Sequence, residues 1–129
     1  MLMIHADTKK PMAKVLEDVA KACAAHQFGV LGTIDLKAKL HDKGQEYPRA
    51  VVVFEVCNPE QAKRALEADA SVSTMLPCRI SAYEMPGGTV RLSTVRPTTM
   101  IGAMGVPALD LVARDVERVL DAILKDAAR

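Results

Sequence analysis

The stretch AVVVFEVCNPE, residues 50–60, joins the strongest strand signal of the chain to a helix start. β-Branched residues dominate its first part, and both faces are apolar over four positions, which is typical of a central strand covered on both sides. Asn58 is suited to accept a hydrogen bond as the helix N-cap, and Pro59 suits the first helical position. The pattern predicts a strand over 50–56, followed by a helix to about Ala68.

Three further strands are predicted by alternation of apolar and polar residues, over 28–36, 78–84 and 89–95, and a short first strand is expected over 1–4. The pair Gly87-Gly88 is typical of a hairpin turn, so the last two strands should pair antiparallel. One face of that hairpin would then carry Arg79, Ser81, Tyr83, Arg91 and Ser93.

Helices are predicted near both ends of the chain. Apolar residues at three- and four-residue spacing indicate one helix to about Gln27, with Asp7 and Thr8 offering cap oxygens and Pro11 in the first turn, and a second helix from Pro107 onward. A short polar helix over 36–43, ended by Gly44, and a short apolar loop or broken helical turn over 96–106 complete the pattern. Such a loop can act as a lid.

The resulting order, β-α-β-(α)-β-α-β-β-α, predicts a two-layer α+β fold with an antiparallel sheet and its helices on one face. The length of 129 residues favours one domain over residues 1–129. Helices on one face leave the other face uncovered, and apolar residues are expected there. They are Leu31, Val51, Val53 and Tyr83. We therefore expect a partner subunit, in a homodimer.

Charge and composition exclude several classes of protein. Seventeen basic and sixteen acidic residues give a net charge of +1 without long runs of one sign, which argues against nucleic-acid binding. No segment has the length and hydropathy of a membrane span or a signal peptide, so we expect no membrane association. Three cysteines favour a reducing, cytoplasmic location. Removal of a signal peptide would leave an extracytoplasmic location open.

Two motifs carry a family resemblance. The sequences FEVCNP, residues 54–59, and LPCR, residues 76–79, resemble those of the bacterial and archaeal family called domain of unknown function 302, and the similarity extends over nearly the whole chain. The resemblance implies a two-layer α+β fold of the kind also used by TATA-binding protein, homodimers, and no established activity. DNA binding is not implied, because function depends on sites rather than folds.

Cys57 and Cys78 are the first candidates for a functional role. Cys57 precedes the N-cap of a helix, whose positive end would stabilise a thiolate, and Arg79 beside Cys78 would act in the same sense. The two cysteines would form a reversible disulfide or part of a soft-metal site if their strand ends were neighbours. Alternation counts against this, because it places them on opposite faces, and small buried residues are the favoured interpretation.

No metal site or cofactor is predicted. The three histidines share no close spacing with the cysteines of the kind that structural zinc requires. Met75, Met100 and Met104 would form a copper site only together with the cysteines, and packing is the more common role of methionine.

Charged residues supply a second group of candidates. Arg79, Arg91 and Arg96 would form an anion-binding patch with nearby hydroxyl groups, although a solvated face with cross-strand pairs is the favoured interpretation. Glu55 lies in an apolar strand, where a lone charge is costly, so we expect it to pair with an arginine.

These observations favour a homodimeric module that binds a small ligand between the sheet face and the loop over 96–106, with the cysteines bordering that space. The alternatives are a thiol-dependent redox protein or sensor using Cys57 and Cys78, and a purely structural interaction protein. No catalytic triad, P-loop or dinucleotide fingerprint is present, so no catalytic residue is assigned and enzymatic activity stays open. The candidate ligand-binding residues are Glu55, Cys57, Asn58, Cys78, Arg79, Tyr83, Arg91, Arg96, Met100 and Met104.

Overall fold

The computed structural model describes all 129 residues and contains five strands and five α-helices. In chain order they are β1 (Met3–Thr8), α1 (Met12–Ala25), β2 (Gly29–Asp35), α2 (Leu36–Asp42), β3 (Val51–Cys57), α3 (Pro59–Ala68), β4 (Cys78–Glu84), β5 (Val90–Val95), α4 (Pro97–Gly102) and α5 (Asp110–Ala128). Two short 3₁₀ helices, Ala70–Thr74 and Pro107–Leu109, precede β4 and α5.

The strands form one sheet in the spatial order β1-β5-β4-β3-β2, and every neighbouring pair is antiparallel. The predicted α+β fold is therefore confirmed. The predicted N-cap of α3 is also found. The Asn58 side chain accepts a 3.0 Å hydrogen bond from the backbone N–H of Gln61. Gly87 and Gly88 adopt φ of 95° and 90° in the β4–β5 hairpin, a region that favours glycine.

The hydrophobic core lies between one face of the sheet and the helices. Alternate residues of β3, namely Val52, Phe54 and Val56, are buried in it, and so are Leu120 and Ile123 of α5. Burying one large aliphatic side chain stabilises the fold by about 1.5–3 kcal/mol. Because all strand residues of the core point to the same side, the helix layer covers one sheet face only.

The opposite sheet face, which we call the uncovered face, contributes no residue to the core. Val51, Val53 and Tyr83 are half-buried there, and Leu31 in β2 is 66% exposed. None of the helices combines the length and the apolar composition that a membrane crossing needs.

A bulge in β2 departs from the predicted alternation. Val30 is the partner of Val56 but Gly32 is the partner of Glu55, so one extra residue separates adjacent positions of the β2–β3 pairing. Val30 and Gly32 therefore lie on opposite faces, whereas strict alternation predicts the same face.

The first strand and the start of α1 also differ from the prediction. β1 extends to Thr8, so Asp7 and Thr8 are strand residues, and Pro11 holds the N-cap position of α1 without a side-chain hydrogen bond. The segment over 96–106, predicted as an apolar loop or a broken helical turn, contains the short helix α4, which packs on α5 and buries Pro97 and Ile101.

Candidate functional site

β4 and β5 separate at one end of the sheet. Their pairing runs from Glu84 opposite Val90 to Ser81 opposite Ser93 and stops there. Beyond that point β4 continues along β3 and β5 continues along β1. The hydroxyl of Thr94 bridges the gap by donating a 2.8 Å hydrogen bond to the backbone carbonyl of Arg79.

This separation opens a cavity of about 160 Å³ between the two strand ends and α4, which we call the β4–β5 cleft. Its polar side chains are Thr74, Arg79 and Thr94, and its apolar surface includes Met75 and Met100. The complete lining is Thr74, Met75, Pro77, Cys78, Arg79, Thr94, Val95, Pro97 and Met100. The cleft therefore combines a cationic group with an apolar wall.

Arg79 supplies the positive charge of the β4–β5 cleft. Its nearest carboxylate is Glu55, at 3.7 Å, and the Arg79 side chain is 65% exposed. The predicted pairing of Glu55 with an arginine is found, and Gly32 leaves room for it, since a Cβ there would lie 3.1 Å from Glu55 Oε1. The distance to Glu55 is longer than a hydrogen bond, so the guanidinium keeps free donors for a second anion.

A smaller cavity of about 30 Å³, which we call the apolar cavity, adjoins the β4–β5 cleft and shares Pro77 and Cys78 with it. Ten of its 13 lining residues are hydrophobic, so it is dry in character. The 13 lining residues are Phe28, Val56, Cys57, Asn58, Gln61, Ala62, Ala65, Leu76, Pro77, Cys78, Ile101, Val112 and Val116.

The apolar cavity brings Cys57 and Cys78 together, although alternation predicts opposite faces. Cys78 of β4 lies directly opposite Val56 of β3, and Cys57 is the residue that follows Val56. Cys57 is the last residue of β3, where the chain turns into α3. The regular alternation ends at this turn, and both residues line the same space.

Both thiols are protonated at neutral pH. Burial, together with a smaller contribution from the nearby Cys57, raises the pKa of Cys78 to about 11. Burial also raises the pKa of Cys57. The positive end of α3 was expected to stabilise a thiolate at Cys57, but the pKa of Cys57 is raised rather than lowered, because desolvation dominates.

The remaining predicted site residues lie elsewhere. On the uncovered face, Arg91 forms two hydrogen bonds to Asp7, at 2.8 and 3.0 Å. Arg96 lies 3.6 Å from Glu117 of α5, away from the other two arginines, and Met104 packs against the core. The three arginines therefore form no common patch, because each has its own carboxylate.

Eight of the ten candidate residues thus divide among three places. Cys78, Arg79 and Met100 line the β4–β5 cleft, and Cys57, Asn58 and Cys78 line the apolar cavity. Glu55, Tyr83 and Arg91 belong to the uncovered face. The segment over 96–106 borders the β4–β5 cleft through Pro97 and Met100 of α4 and does not lie over the uncovered face.

Sequence reasoning missed a polar network on the uncovered face. Hydrogen bonds join His5 Nδ1 to Ser93 Oγ at 2.6 Å and Ser93 Oγ to the Tyr83 hydroxyl at 2.7 Å. Ser93 is only 3% exposed, so this network satisfies its hydroxyl. The position of Tyr83 beside Ser93 follows from the hairpin, but that of His5 requires the β1–β5 pairing, which no local pattern indicates.

Comparison with known proteins supports the family resemblance. The sequence model of the family described as "Domain of unknown function DUF302" matches residues 4–127. A crystal structure of an uncharacterized conserved DUF302 protein from Bacillus stearothermophilus is similar to this chain, with a TM-score of 0.93 and 33% identity, covering 100% of this chain and 99% of that one. No protein of curated function matches the sequence. The chain therefore belongs to the DUF302 family.

Proposed function

We propose that the protein is a homodimeric module that binds a small ligand in the β4–β5 cleft. The observation that carries the proposal is the gap between the two strand ends, where Arg79 stands beside an apolar wall. A cavity with a few polar groups in a mostly apolar lining is typical of a small-molecule site.

The size and charge of the cleft define the class of ligand. A volume of about 160 Å³ resembles the roughly 150 Å³ of an engineered cavity that holds benzene. Pockets for drug-sized ligands have volumes of about 300 Å³ or more, so the cleft suits a smaller molecule. Arg79 favours an anion, and Met75 and Met100 favour an apolar group. A compact carboxylic acid with one small apolar group fits both requirements.

Binding of benzoate tests the ligand proposal, with chemical-shift changes as the measurement and neutral benzamide as the comparison. We expect benzoate to shift resonances of Thr94 and Met100 and to bind more tightly than benzamide. Arg79→Gln should weaken benzoate binding about tenfold or more, because a hydrogen bond to a charged group contributes about 1.5–3 kcal/mol. Arg91→Gln is the matched control, since Arg91 lies outside the cleft.

Two outcomes of these comparisons would contradict the ligand proposal. One is equal binding of benzoate and benzamide, and the other is equal weakening by Arg79→Gln and Arg91→Gln. Absence of any shift in the cleft at millimolar concentrations of small carboxylates would also reject it.

The uncovered face supports the dimer part of the proposal. Val51 and Val53 are half-buried in the single chain, and Leu31 adds an exposed apolar side chain nearby in β2. A sheet face without a helix layer that presents apolar side chains to solvent is a candidate interaction site. A second copy is the natural partner, because a two-fold interface uses the same surface on both subunits.

Sedimentation velocity tests the dimer. The unmodified protein should sediment as a dimer, and Val53→Lys on the uncovered face should produce monomers. Leu111→Lys is the matched control, because Leu111 is an exposed residue of α5 in the helix layer. A monomeric unmodified protein, or dissociation by Leu111→Lys rather than Val53→Lys, would reject the sheet-face dimer.

The thiol-dependent alternative has less support. Cys57 and Cys78 line one cavity, which favours their pairing, but burial raises the pKa of both thiols. The thiolate is the reactive form, so the raised pKa values oppose rapid redox chemistry at neutral pH.

A further inference from the structure

We propose that Cys57 and Cys78 form a two-coordinate binding site for a soft monovalent metal ion, Cu(I), in the apolar cavity. This site is separate from the ligand site of the β4–β5 cleft, and neither proposal depends on the other. It differs from the sequence expectation of no metal site, because the fold brings together two cysteines that alternation separates.

The geometry of the apolar cavity suits a single ion. Cys57 ends β3 and Cys78 begins the neighbouring β4, so two thiols from one end of the sheet line the same space. The cavity volume is about 30 Å³. A water-sized particle needs about 10–15 Å³ on the same scale, so the cavity accommodates an ion but not an organic ligand. Cys57 is partly exposed, which provides an entry path.

The other lining residues exclude hard cations. No carboxylate or imidazole lines the cavity, and both amide side chains are already engaged. Asn58 caps α3 and donates to the carbonyl of Gln27, and Gln61 accepts a hydrogen bond from Arg64. No three His, Cys, Asp or Glu side chains are grouped to hold a metal, so zinc lacks a ligand set.

Sulfur ligands and low coordination number select Cu(I). Thiolates and thioethers are the ligands that favour this ion over Mg²⁺, Ca²⁺ or Mn²⁺. Met75 and Met100 lie in the adjoining β4–β5 cleft, which Cys78 also lines. Methionines were expected to take part in a copper site only together with cysteines. Met75 and Met100 meet this condition, because they line the same cleft as Cys78.

Binding replaces protons and transfers no electrons. The two S–H bonds break, two S–Cu bonds form, and two protons leave to solvent, giving a complex with one net negative charge. The ten-residue helix α3 begins at Pro59, two residues after Cys57, and its positive end is near this charge.

Anaerobic titration of the reduced protein with Cu(I), in competition with a chromophoric Cu(I) chelator, tests the site. We expect one ion per chain and loss of this binding in Cys57→Ser and Cys78→Ser. Each variant should lose more than the roughly 10- to 100-fold in affinity that removal of an outer-shell contact costs. Cys23→Ser is the matched control, since Cys23 is a buried thiol outside the cavity, with a pKa also raised to about 11.

A second measurement uses the unmodified protein, so it does not depend on the folding of the variants. One equivalent of Cu(I) should protect Cys57 and Cys78 from alkylation and leave the labelling rate of Cys23 in urea-free buffer unchanged. Unchanged labelling of Cys57 and Cys78, wild-type affinity in Cys57→Ser or Cys78→Ser, or an equal loss in Cys23→Ser would overturn the proposal.

Discussion

The Thr94 hydroxyl donates a 2.8 Å hydrogen bond to the backbone carbonyl of Arg79, at the point where β4 and β5 separate. This side-chain bond connects the two strand ends. The backbone pairing of the rest of the hairpin is absent there. The β4–β5 cleft lies beside it, and Cys78, one residue before Arg79, connects the cleft to the apolar cavity.

Thr94→Val should remove this bond while keeping the shape of the side chain. The carbonyl of Arg79 would lose its partner at a half-buried position, so we expect the free energy of unfolding to decrease by about 1–2 kcal/mol. Urea denaturation measures the change. Thr99→Val is the control, because Thr99 is exposed on α4, and a loss of similar size in both variants would contradict the assigned role.

Asn58→Ala should shorten or destabilise α3. The Asn58 side chain caps the backbone N–H of Gln61, and loss of an N-cap costs about 0.5–2 kcal/mol. Thermal or urea unfolding provides the measurement. Asn58→Ser retains a capping oxygen and should recover most of the loss; equal destabilisation by Ala and Ser would show that capping is not the cause.

The Asp7–Arg91 pair should make stability depend on acid pH. The hydrogen bond from Arg91 holds the pKa of Asp7 below its ordinary value of 3.8. A lowered folded-state pKa contributes stability that is fully present above 3.8 and is lost as the pH falls through the lowered value. Arg91→Gln should therefore be less stable than the unmodified protein at neutral pH, and the difference should shrink below 3.8.

Unfolding curves of both proteins, measured from neutral to acid pH, test whether the difference in stability shrinks as predicted. The effect should be small, because the pair is partly exposed and surface pairs contribute little. A difference between the two proteins that grows as the pH falls would contradict it.

Alkylation of the metal-free protein should be slow at neutral pH. Burial raises the pKa of all three thiols above the ordinary value of 9.0, so each is mainly protonated. Mass spectrometry after graded labelling should show Cys57 reacting before Cys23, because Cys57 is partly exposed and Cys23 is buried. Rates should increase steeply above pH 9.0. Fast labelling of Cys57 near neutral pH would instead favour the redox alternative.

Much of the fold was predictable because its signals are local. The apolar β-branched run of β3, the Asn58-Pro59 helix start and the Gly87-Gly88 turn each depend on neighbouring residues, and each is found as predicted. The bulge in β2 was not predictable, because an extra residue in a strand leaves no mark in alternation until the partner strand is known.

The site was predictable only in part. Glu55 was expected to need an arginine, since a lone carboxylate in an apolar strand is costly, and the structure provides Arg79. Thr94 and Met75 gave no such signal, because a threonine in a strand and a methionine before one are ordinary. Their place in the β4–β5 cleft follows from the separation of two strands, which depends on the pairing of each with its other neighbour.

The sequence by itself determined the α+β class, the order of the elements and the presence of a sheet face without helices, because spacing and turn residues act over a few positions. Only the tertiary structure decided which side chains meet. It placed Cys57 and Cys78 in one cavity across adjacent strands and separated Arg79, Arg91 and Arg96 with a carboxylate each. The physical reason is that contact between distant residues depends on strand register and on where regular alternation ends, and neither is encoded within a single segment.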